Sequence, residues 1–309
     1  MADLCVQLAP SHGKGLSLPN PVMTASGTFG YGIEYQELID IQRLGAIVCK
    51  GTTFKPRDGN PQPRLVETAS GLLNSIGLQN IGVDAVIEEK APVWAGWKVP
   101  VIVNIAGETI EEYAEIAGKL EGVPGINGIE VNVSCPNVES GGIEFGTRPE
   151  SAARVTSAVK SATGLPLIVK LSPNVTDILE MAIAVAEAGA DAVTLVNTFR
   201  GMAIDINAGK PSLGKTVGGL SGPAIKPVAL YMVYHVAQNI KVPVIGCGGI
   251  SYADDALEFL MAGASAVQVG TASLSNPSVA LEILDGIEQF MKQRNITDIR
   301  DLIGIARVR

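Results

Sequence analysis

Short apolar runs recur along the chain, each followed by a polar or glycine-rich turn and then by a stretch with helical periodicity. This alternation is typical of βα units, in which buried parallel strands are joined by helices. It predicts eight strands, at residues 21–24, 46–50, 101–105, 128–132, 166–170, 192–196, 244–246 and 266–269. It also predicts helices at residues 111–120, 149–163, 177–188, 223–239, 252–262 and 277–294. Eight such units indicate an α/β fold of the (β/α)8 TIM barrel type.

Segments outside the repeating units extend this prediction. Two apolar runs, 5–8 and 16–18, are separated by turn residues and predict an N-terminal β-hairpin. The connections 51–100 and 197–221 are too long to be simple turns, so we expect long βα-loop insertions that build the site. An open doubly wound sheet is the competing fold, but no G-x-G-x-x-G segment opens a first βα turn. We therefore expect residues 1–309 to form one domain.

Composition narrows the possible partners. The chain has 309 residues, a net charge of -8 and no block of lysine and arginine, which argues against nucleic acid or an anionic membrane as its main partner. Neither a bilayer-spanning apolar run nor a signal-peptide pattern is present, so we expect a cytoplasmic protein. The cysteines form no C-x-x-C pair, and we expect no zinc site, iron-sulfur cluster or other metal in this chain.

Polar residues stand where the predicted strands end, and the carboxyl ends of barrel strands meet at one mouth. Cys135 follows the fourth strand between two asparagines, and Pro136 ends the strand there. Asparagine offers both a donor and an acceptor, which suits a neutral, planar, polar substrate. A lysine that ends an apolar strand needs an anionic or carbonyl partner if it is buried, so we expect ligand roles for Lys50 and Lys170. Cys49 and Cys247 are expected to pack, and His12 and His235 are too isolated to suggest a site.

Glycine-rich turns follow the last two predicted strands, at residues 246–250 and 270–271. In barrels, these two turns commonly bind phosphate through backbone N–H groups. A phosphorylated ligand beside two lysines leaves three functions open. The chain could be a lyase that forms a Schiff base on Lys170, a non-catalytic binder of a phosphorylated metabolite, or a flavin enzyme in which Cys135 removes a substrate proton.

Four separated segments resemble one family, and they occur in its order along nearly the whole chain. They are 74–80 (Asn-Ser-Ile-Gly-Leu-Gln-Asn), 132–137 (Asn-Val-Ser-Cys-Pro-Asn), 170–174 (Lys-Leu-Ser-Pro-Asn) and 219–223 (Gly-Leu-Ser-Gly-Pro). Together they resemble the dihydroorotate dehydrogenases. A cysteine base resembles the cytosolic class 1 enzymes, and the continuation at 138–142 resembles type 1B, which passes electrons to NAD. The alternative is type 1A, which uses fumarate.

The resemblance implies oxidation of (S)-dihydroorotate to orotate in pyrimidine (UMP) biosynthesis, with one FMN per chain and Cys135 as the catalytic base. It implies FMN contacts from Ser26, Lys50, Gly51, Asn104, Asn132, Lys170, Val196, Gly222, Gly248, Gly249, Gly270 and Thr271. It implies substrate contacts from Lys50, Asn74, Ser75, Ile76, Gly77, Leu78, Asn132, Asn197 and Thr198.

The resemblance also implies a partner. An electron-transfer subunit would carry FAD and an iron-sulfur cluster, and a homodimer of this chain would form the core of a heterotetramer.

Overall fold

The structure is a computed structural model that describes residues 2–134, 136–137 and 143–306. Near the N-terminus, β1 (Val6–Gln7) and β2 (Ser17–Leu18) form the expected antiparallel hairpin. Eight parallel strands then form the body. They are β3 (Val22–Thr24), β4 (Ile47–Val48), β7 (Val101–Ile105), β8 (Gly128–Asn132), β11 (Leu167–Lys170), β12 (Ala192–Leu195), β17 (Val244–Cys247) and β18 (Ala266–Val269).

These strands close into a barrel. Each strand pairs with the next in chain order from β4 round to β18, and β18 pairs with β3. A parallel bridge between Met23 and Ala46 joins β3 to the chain entering β4, and the Gly45 N–H donates to the Val22 carbonyl at 2.8 Å. The barrel predicted from the eight apolar runs is therefore confirmed. Strands that are covered on both faces carry continuous apolar residues, which explains why the runs were readable in the sequence.

Helices cover the outside of the barrel and begin with the residues that helix starts prefer. The Thr109 hydroxyl accepts from the Glu112 N–H, and the Asp177 carboxylate accepts from the Leu179 N–H, so each caps a helix. The helices are α1 (Val83–Ala85), α2 (Ala91–Trp94), α3 (Ile110–Leu120), α4 (Pro149–Ala162), α5 (Ile178–Glu187), α6 (Lys226–Ala237), α7 (Ala253–Ala262) and α8 (Val279–Arg294).

One predicted helix, 223–239, is shorter in the structure. A 3-10 turn occupies Pro223–Ile225, and the α-helix begins at Lys226. Pro227 has no N–H to donate to the carbonyl of Pro223, so the hydrogen bond that would continue an α-helix from Pro223 is missing. The other predicted helices and strands agree with the structure to within a few residues.

The two long loops fold together above the barrel. The first supplies β5 (Leu65–Thr68) and β6 (Gly71–Asn74), and the second supplies β13 (Phe199–Gly201) and β16 (Gly218–Ser221). They form one four-stranded sheet in the order β13-β16-β6-β5. Two small hairpins complete the described strands: β9 (Pro136–Asn137) with β10 (Ile143–Glu144), and β14 (Ile204–Asp205) with β15 (Lys210–Pro211).

Among the described residues, buried apolar side chains form one cluster that runs from Val6 to Leu302. One domain over residues 1–309 stays a prediction. In the part of the chain that the structure describes, none of the helices combines the length and the apolar character that crossing a membrane requires.

Candidate active site

A cavity of about 690 Å³ opens at the carboxyl ends of the barrel strands, under the four-stranded sheet. Each sequence-predicted site residue that the structure describes contributes to its wall, whereas Cys135 lies outside the described residues. The predicted residues found there are Ser26, Lys50, Gly51, Asn74, Ser75, Ile76, Gly77, Leu78, Asn104, Asn132, Lys170, Val196, Asn197, Thr198, Gly222, Gly248, Gly249, Gly270 and Thr271.

The charges around the cavity favour an anionic ligand. Lys50, Arg57, Lys170 and Arg200 line it, and no carboxylate does among the described lining residues. Arg57 forms an ion pair at 2.6 Å with Glu108, which lies outside the lining set. This excess of cations occurs in a chain whose net charge is -8, so the cavity is positive against an acidic background.

One side of the cavity consists of backbone turns. We call it the glycine side, and it comprises Gly222, Gly248, Gly249, Gly270 and Thr271. A Cβ added at Gly249, where φ is +74°, would lie 2.7 Å from the Lys226 Cβ and 2.8 Å from the Gly222 carbonyl oxygen. The turns therefore pack so closely that only glycine fits there. Such turns present backbone N–H groups to an anion, as phosphate sites in barrels do.

Another part of the cavity wall consists of amide and hydroxyl side chains. We call it the amide side, and it comprises Asn74, Asn132, Ser134, Asn174 and Asn197. The Asn197 Nδ2 donates to Asn132 Oδ1 and to the Ser134 hydroxyl, both at 3.1 Å. Asn74 Nδ2 donates to the Gly219 carbonyl at 3.1 Å, across two strands of the loop sheet. These contacts fix the amides, which leaves their remaining donors and acceptors oriented for a polar ligand.

Lys170 lines the same cavity and is nearly completely buried, with 5% of its surface exposed. Its ammonium donates to Gln268 Oε1 at 2.9 Å and contacts Cys247 Sγ at 3.6 Å. Burial lowers the pKa of Lys170, but Cys247 and Glu130 raise it by more, so the pKa lies above its ordinary value. A protonated, hydrogen-bonded ammonium is a poor nucleophile, which argues against the Schiff-base lyase.

The two cysteines expected to pack differ from each other. Burial raises the pKa of the Cys49 thiol to about 12, as expected for an inert packing residue. Cys247 is also buried, but it lines the cavity and contacts Lys170. The expectation that Cys247 only packs in the core is therefore incomplete. Burial raises the pKa of this thiol too, and Lys170 lowers it by less.

The geometry agrees with the comparison to known proteins. The sequence model of the dihydroorotate dehydrogenase family matches residues 9–291. The chain belongs to this family. A relative from Geotalea uraniireducens is 56% identical over 302 residues, which cover 98% of this chain and 97% of that protein. Relatives from Pelobacter propionicus (57% over 302 residues, 98% of each chain) and Geobacter sulfurreducens (53% over 306 residues, 99% of each) are similar.

All three relatives carry the name dihydroorotate dehydrogenase B (NAD(+)), catalytic subunit. The family confirms the expected fold and the expected enzyme, an oxidoreductase that acts on dihydroorotate. The name of the relatives agrees with the NAD-linked expectation and disfavours the fumarate-linked type 1A.

The cavity fits the flavin that this family uses. Asn104 Oδ1 is buried and lines the cavity without a hydrogen-bond partner in the described structure, so it could accept from an N–H of a bound ring. The glycine side forms a cradle that a single added Cβ would fill at Gly249. Lys170 supplies a fixed cation between these two features.

Several residues that shape the site were not among the predicted site residues. Arg57, Asn174 and Arg200 line the cavity, and Glu130 and Gln268 lie below it. A signal was available for Glu130, because a carboxylate inside an apolar strand must find partners when it is buried. The arginines come from the long loops, where the sequence offers no periodicity that would orient them.

Proposed function

We propose that the chain oxidises (S)-dihydroorotate to orotate in pyrimidine biosynthesis and that it is the catalytic half of an NAD-linked enzyme. The observation that carries the proposal is one cavity that joins a glycine cradle, a buried cationic lysine and a set of fixed amides. A flavin mononucleotide bound next to dihydroorotate, whose ring carries amides and a carboxylate, would use the glycine cradle, the lysine and the amides.

The chain's residues would hold FMN in one orientation. The glycine side would donate backbone N–H groups to the phosphate, and Asn104 would accept from the ring. Lys170 would face the part of the ring where negative charge develops on reduction. The remaining predicted contacts, from Ser26, Lys50, Gly51, Asn132 and Val196, line the same cavity.

Substrate would lie between FMN and the amide side. Dihydroorotate has a carboxylate, which Lys50 can pair with, and ring amides, which Asn74, Asn132 and Asn197 can pair with. Cys135 would take the proton from C5, because it directly follows Ser134 at the rim of this side. FMN, when bound, supplies the acceptor for the hydride that leaves C6. The proton on Cys135 then returns to solvent.

The electrons need an exit, and the chain's own sequence contains neither a dinucleotide fingerprint nor a C-x-x-C cluster motif. We therefore assign the next step to a partner subunit with FAD and an iron-sulfur cluster, which would reduce NAD. A homodimer of this chain would be the core of the resulting heterotetramer. The cytoplasmic location expected from the sequence stays a prediction.

The first experiment identifies the cofactor and the substrate. Flavin is released from the purified chain and identified by chromatography, and dihydroorotate is added to the intact chain without oxygen. We expect FMN and a rapid bleaching of the flavin band. A chain that binds no flavin, or a flavin that dihydroorotate does not reduce, would contradict the proposal. Borohydride trapping of substrate on Lys170 would favour the lyase instead.

The second experiment identifies the electron acceptor. The reduced chain is mixed with NAD, with fumarate, and with NAD plus the electron-transfer subunit. We expect fast reoxidation only in the third mixture. Fast reoxidation by NAD alone would remove the need for a partner, and fast reoxidation by fumarate would support type 1A.

A further inference from the structure

A second group of polar side chains lies directly below the cavity. Glu130, Thr194 and Gln268 extend from β8, β12 and β18, are at most 1% exposed and do not line the cavity. Barrel interiors are normally filled by layers of branched apolar side chains from alternate strands. These three strands alternate around the ring, so one such layer is polar here. We call it the polar layer.

Glu130 is the acceptor at the centre of the polar layer. Its Oε1 accepts from Asn104 Nδ2 at 2.8 Å, and its Oε2 accepts from the Thr194 hydroxyl at 2.9 Å and from Gln268 Nε2 at 2.5 Å. Glu130 therefore accepts three hydrogen bonds on its two oxygens in the barrel interior. A buried polar network costs free energy when it is only partly satisfied.

Gln268 connects the carboxylate to the lysine above it, with its Nε2 on Glu130 and its Oε1 on the Lys170 ammonium. A carboxylate only accepts and an ammonium only donates, so an amide between them has one orientation that satisfies both. The charge on Glu130 thereby fixes which end of the amide faces Lys170. A neutral partner at position 130 would allow the amide to turn and present an N–H to the ammonium.

We propose that Glu130 is a positioning residue that acts through Gln268 to keep the Lys170 ammonium charged and directed into the cavity. Two of the three N–H groups of Lys170 donate to Gln268 Oε1 and Cys247 Sγ, which leaves one for a ligand in the cavity. The consequence for flavin chemistry rests on the proposed function, whereas the link between Glu130 and Lys170 does not.

The charges around Lys170 support this role. The titratable groups that act on it are Cys247 on β17 and Glu130 on β8, and Glu130 also acts on the thiol of Cys49. Burial lowers the pKa of Lys170, and Cys247 and Glu130 raise it by more. Replacing Glu130 would therefore remove one of the two groups that favour the charged amine.

The test follows the protonation of Lys170 directly in the full chain as purified. Lysines are labelled with carbon-13 at Cε, whose chemical shift changes when the amine loses its proton, and Lys170→Met identifies the signal. We expect the Lys170 signal of Glu130→Gln to titrate about one to two pH units below that of the parent chain. Thr194→Val is the matched control, because it removes one hydrogen bond to Glu130 and keeps both the carboxylate and Gln268, and its Lys170 signal should shift clearly less than that of Glu130→Gln.

A Glu130→Gln chain that titrates like the parent would overturn the proposal, and so would an equal shift in Thr194→Val. Gln268→Met gives a second test if Glu130→Gln does not fold, because it keeps the carboxylate and removes the connecting amide. Its Lys170 signal should also titrate at lower pH, and an unchanged signal would overturn the role of Gln268. Flavin content is measured on the same samples. A parent chain without FMN would contradict the proposed function, while the lysine titration would still decide this proposal.

Discussion

The two sides of the cavity bind by opposite means. The glycine side presents mainly backbone groups, because glycine has no side chain to cover them. Gly249 has no room for even one added carbon atom. The amide side offers side chains that hold one another, as Asn197 does with Asn132 and Ser134. The first arrangement suits a compact anion approached from several N–H groups, and the second suits a flat ring with alternating donors and acceptors.

This difference predicts how each side can be damaged. Adding an atom should harm the glycine side, because its turns are in contact with each other. Removing an atom should harm the amide side, because its geometry depends on side-chain hydrogen bonds. If the glycine side holds the cofactor and the amide side holds the substrate, the two kinds of change should separate cofactor affinity from substrate affinity.

The largest effect is expected at Cys135, which follows Ser134 of the amide side in the sequence. Cys135→Ser should keep its flavin but lose on the order of 10²- to 10⁴-fold in the rate of flavin reduction by dihydroorotate, because an alcohol is a much poorer base than a thiol. Stopped-flow absorbance measures the rate, which in the parent chain should rise with pH through one ionisation. Cys5→Ser, at an exposed cysteine, is the control. A near-parental rate in Cys135→Ser would remove this residue from the mechanism.

The glycine side is tested by Gly249→Ala, which should weaken FMN binding about 10- to 100-fold because the new Cβ meets Lys226 and the Gly222 carbonyl. Equilibrium dialysis of the flavin-free chain measures the affinity. Gly209→Ala is the matched control, since Gly209 also has a positive φ, +62°, but has no atom within 4 Å of the added Cβ. Both variants should lose about 1 kcal/mol of stability from the backbone alone. Equal FMN affinity in the two variants would show that the cradle does not hold FMN.

The amide side is tested by Asn197→Ala, which removes the bridge to Asn132 and Ser134. We expect about a 10-fold loss of orotate affinity with FMN binding unchanged, because about one net hydrogen bond is lost. Orotate titration of the flavin spectrum provides the measurement. Asn239→Ala, which removes a hydrogen bond to the His235 carbonyl on the outside of α6, should leave orotate binding unchanged. Loss of FMN instead of orotate would mean that the sides are assigned the wrong way round.

The contrast between the glycine side and the amide side also explains which parts of the site could be predicted from the sequence. Four of the five residues of the glycine side lie in the two turns that directly follow β17 and β18, so composition and position along the chain were sufficient to predict those turns. Gly222 ends the second long loop, and only the family resemblance assigned it. Strand-end residues such as Lys170 and Asn104 were equally accessible, because the barrel brings every strand end to one mouth. Local patterns therefore predicted the residues whose positions depend only on where a strand ends.

Other features depend on contacts between distant segments, which local patterns do not encode. The loop sheet pairs Asn74 with Gly219, and Gln268 reaches Glu130 across the barrel interior. Nothing next to either residue in the sequence specifies its partner. The register of Asn74 and the polar layer could therefore be identified only in the folded chain. The sequence did indicate that Glu130, a carboxylate inside an apolar strand, needs buried polar partners.

The smallest expected effect concerns what holds the glycine side in place. Asp255 forms an ion pair at 2.5 Å with Lys226, and its other oxygen accepts from the Ser251 and Tyr252 N–H groups. This carboxylate connects the turn after β17 to the start of α6. Burial raises the pKa of Asp255, but Lys226 and the two N–H groups lower it by more, so the pKa lies below its usual value of 3.8.

Because the folded pKa is depressed, the ionised carboxylate stabilises the fold above its usual pKa, and this contribution is lost as the pH falls through the lowered value. Asp255→Asn should therefore lose on the order of 1 kcal/mol at pH 7, and the difference from the parent chain should shrink in acid below the usual value. Urea unfolding at several pH values measures it. The matched control is Asp254→Asn, which changes the same charge in the same helical turn at an exposed position and should cost less. A difference between Asp255→Asn and the parent that does not change with pH would show that the shape of Asp255, and not its charge, holds the turn.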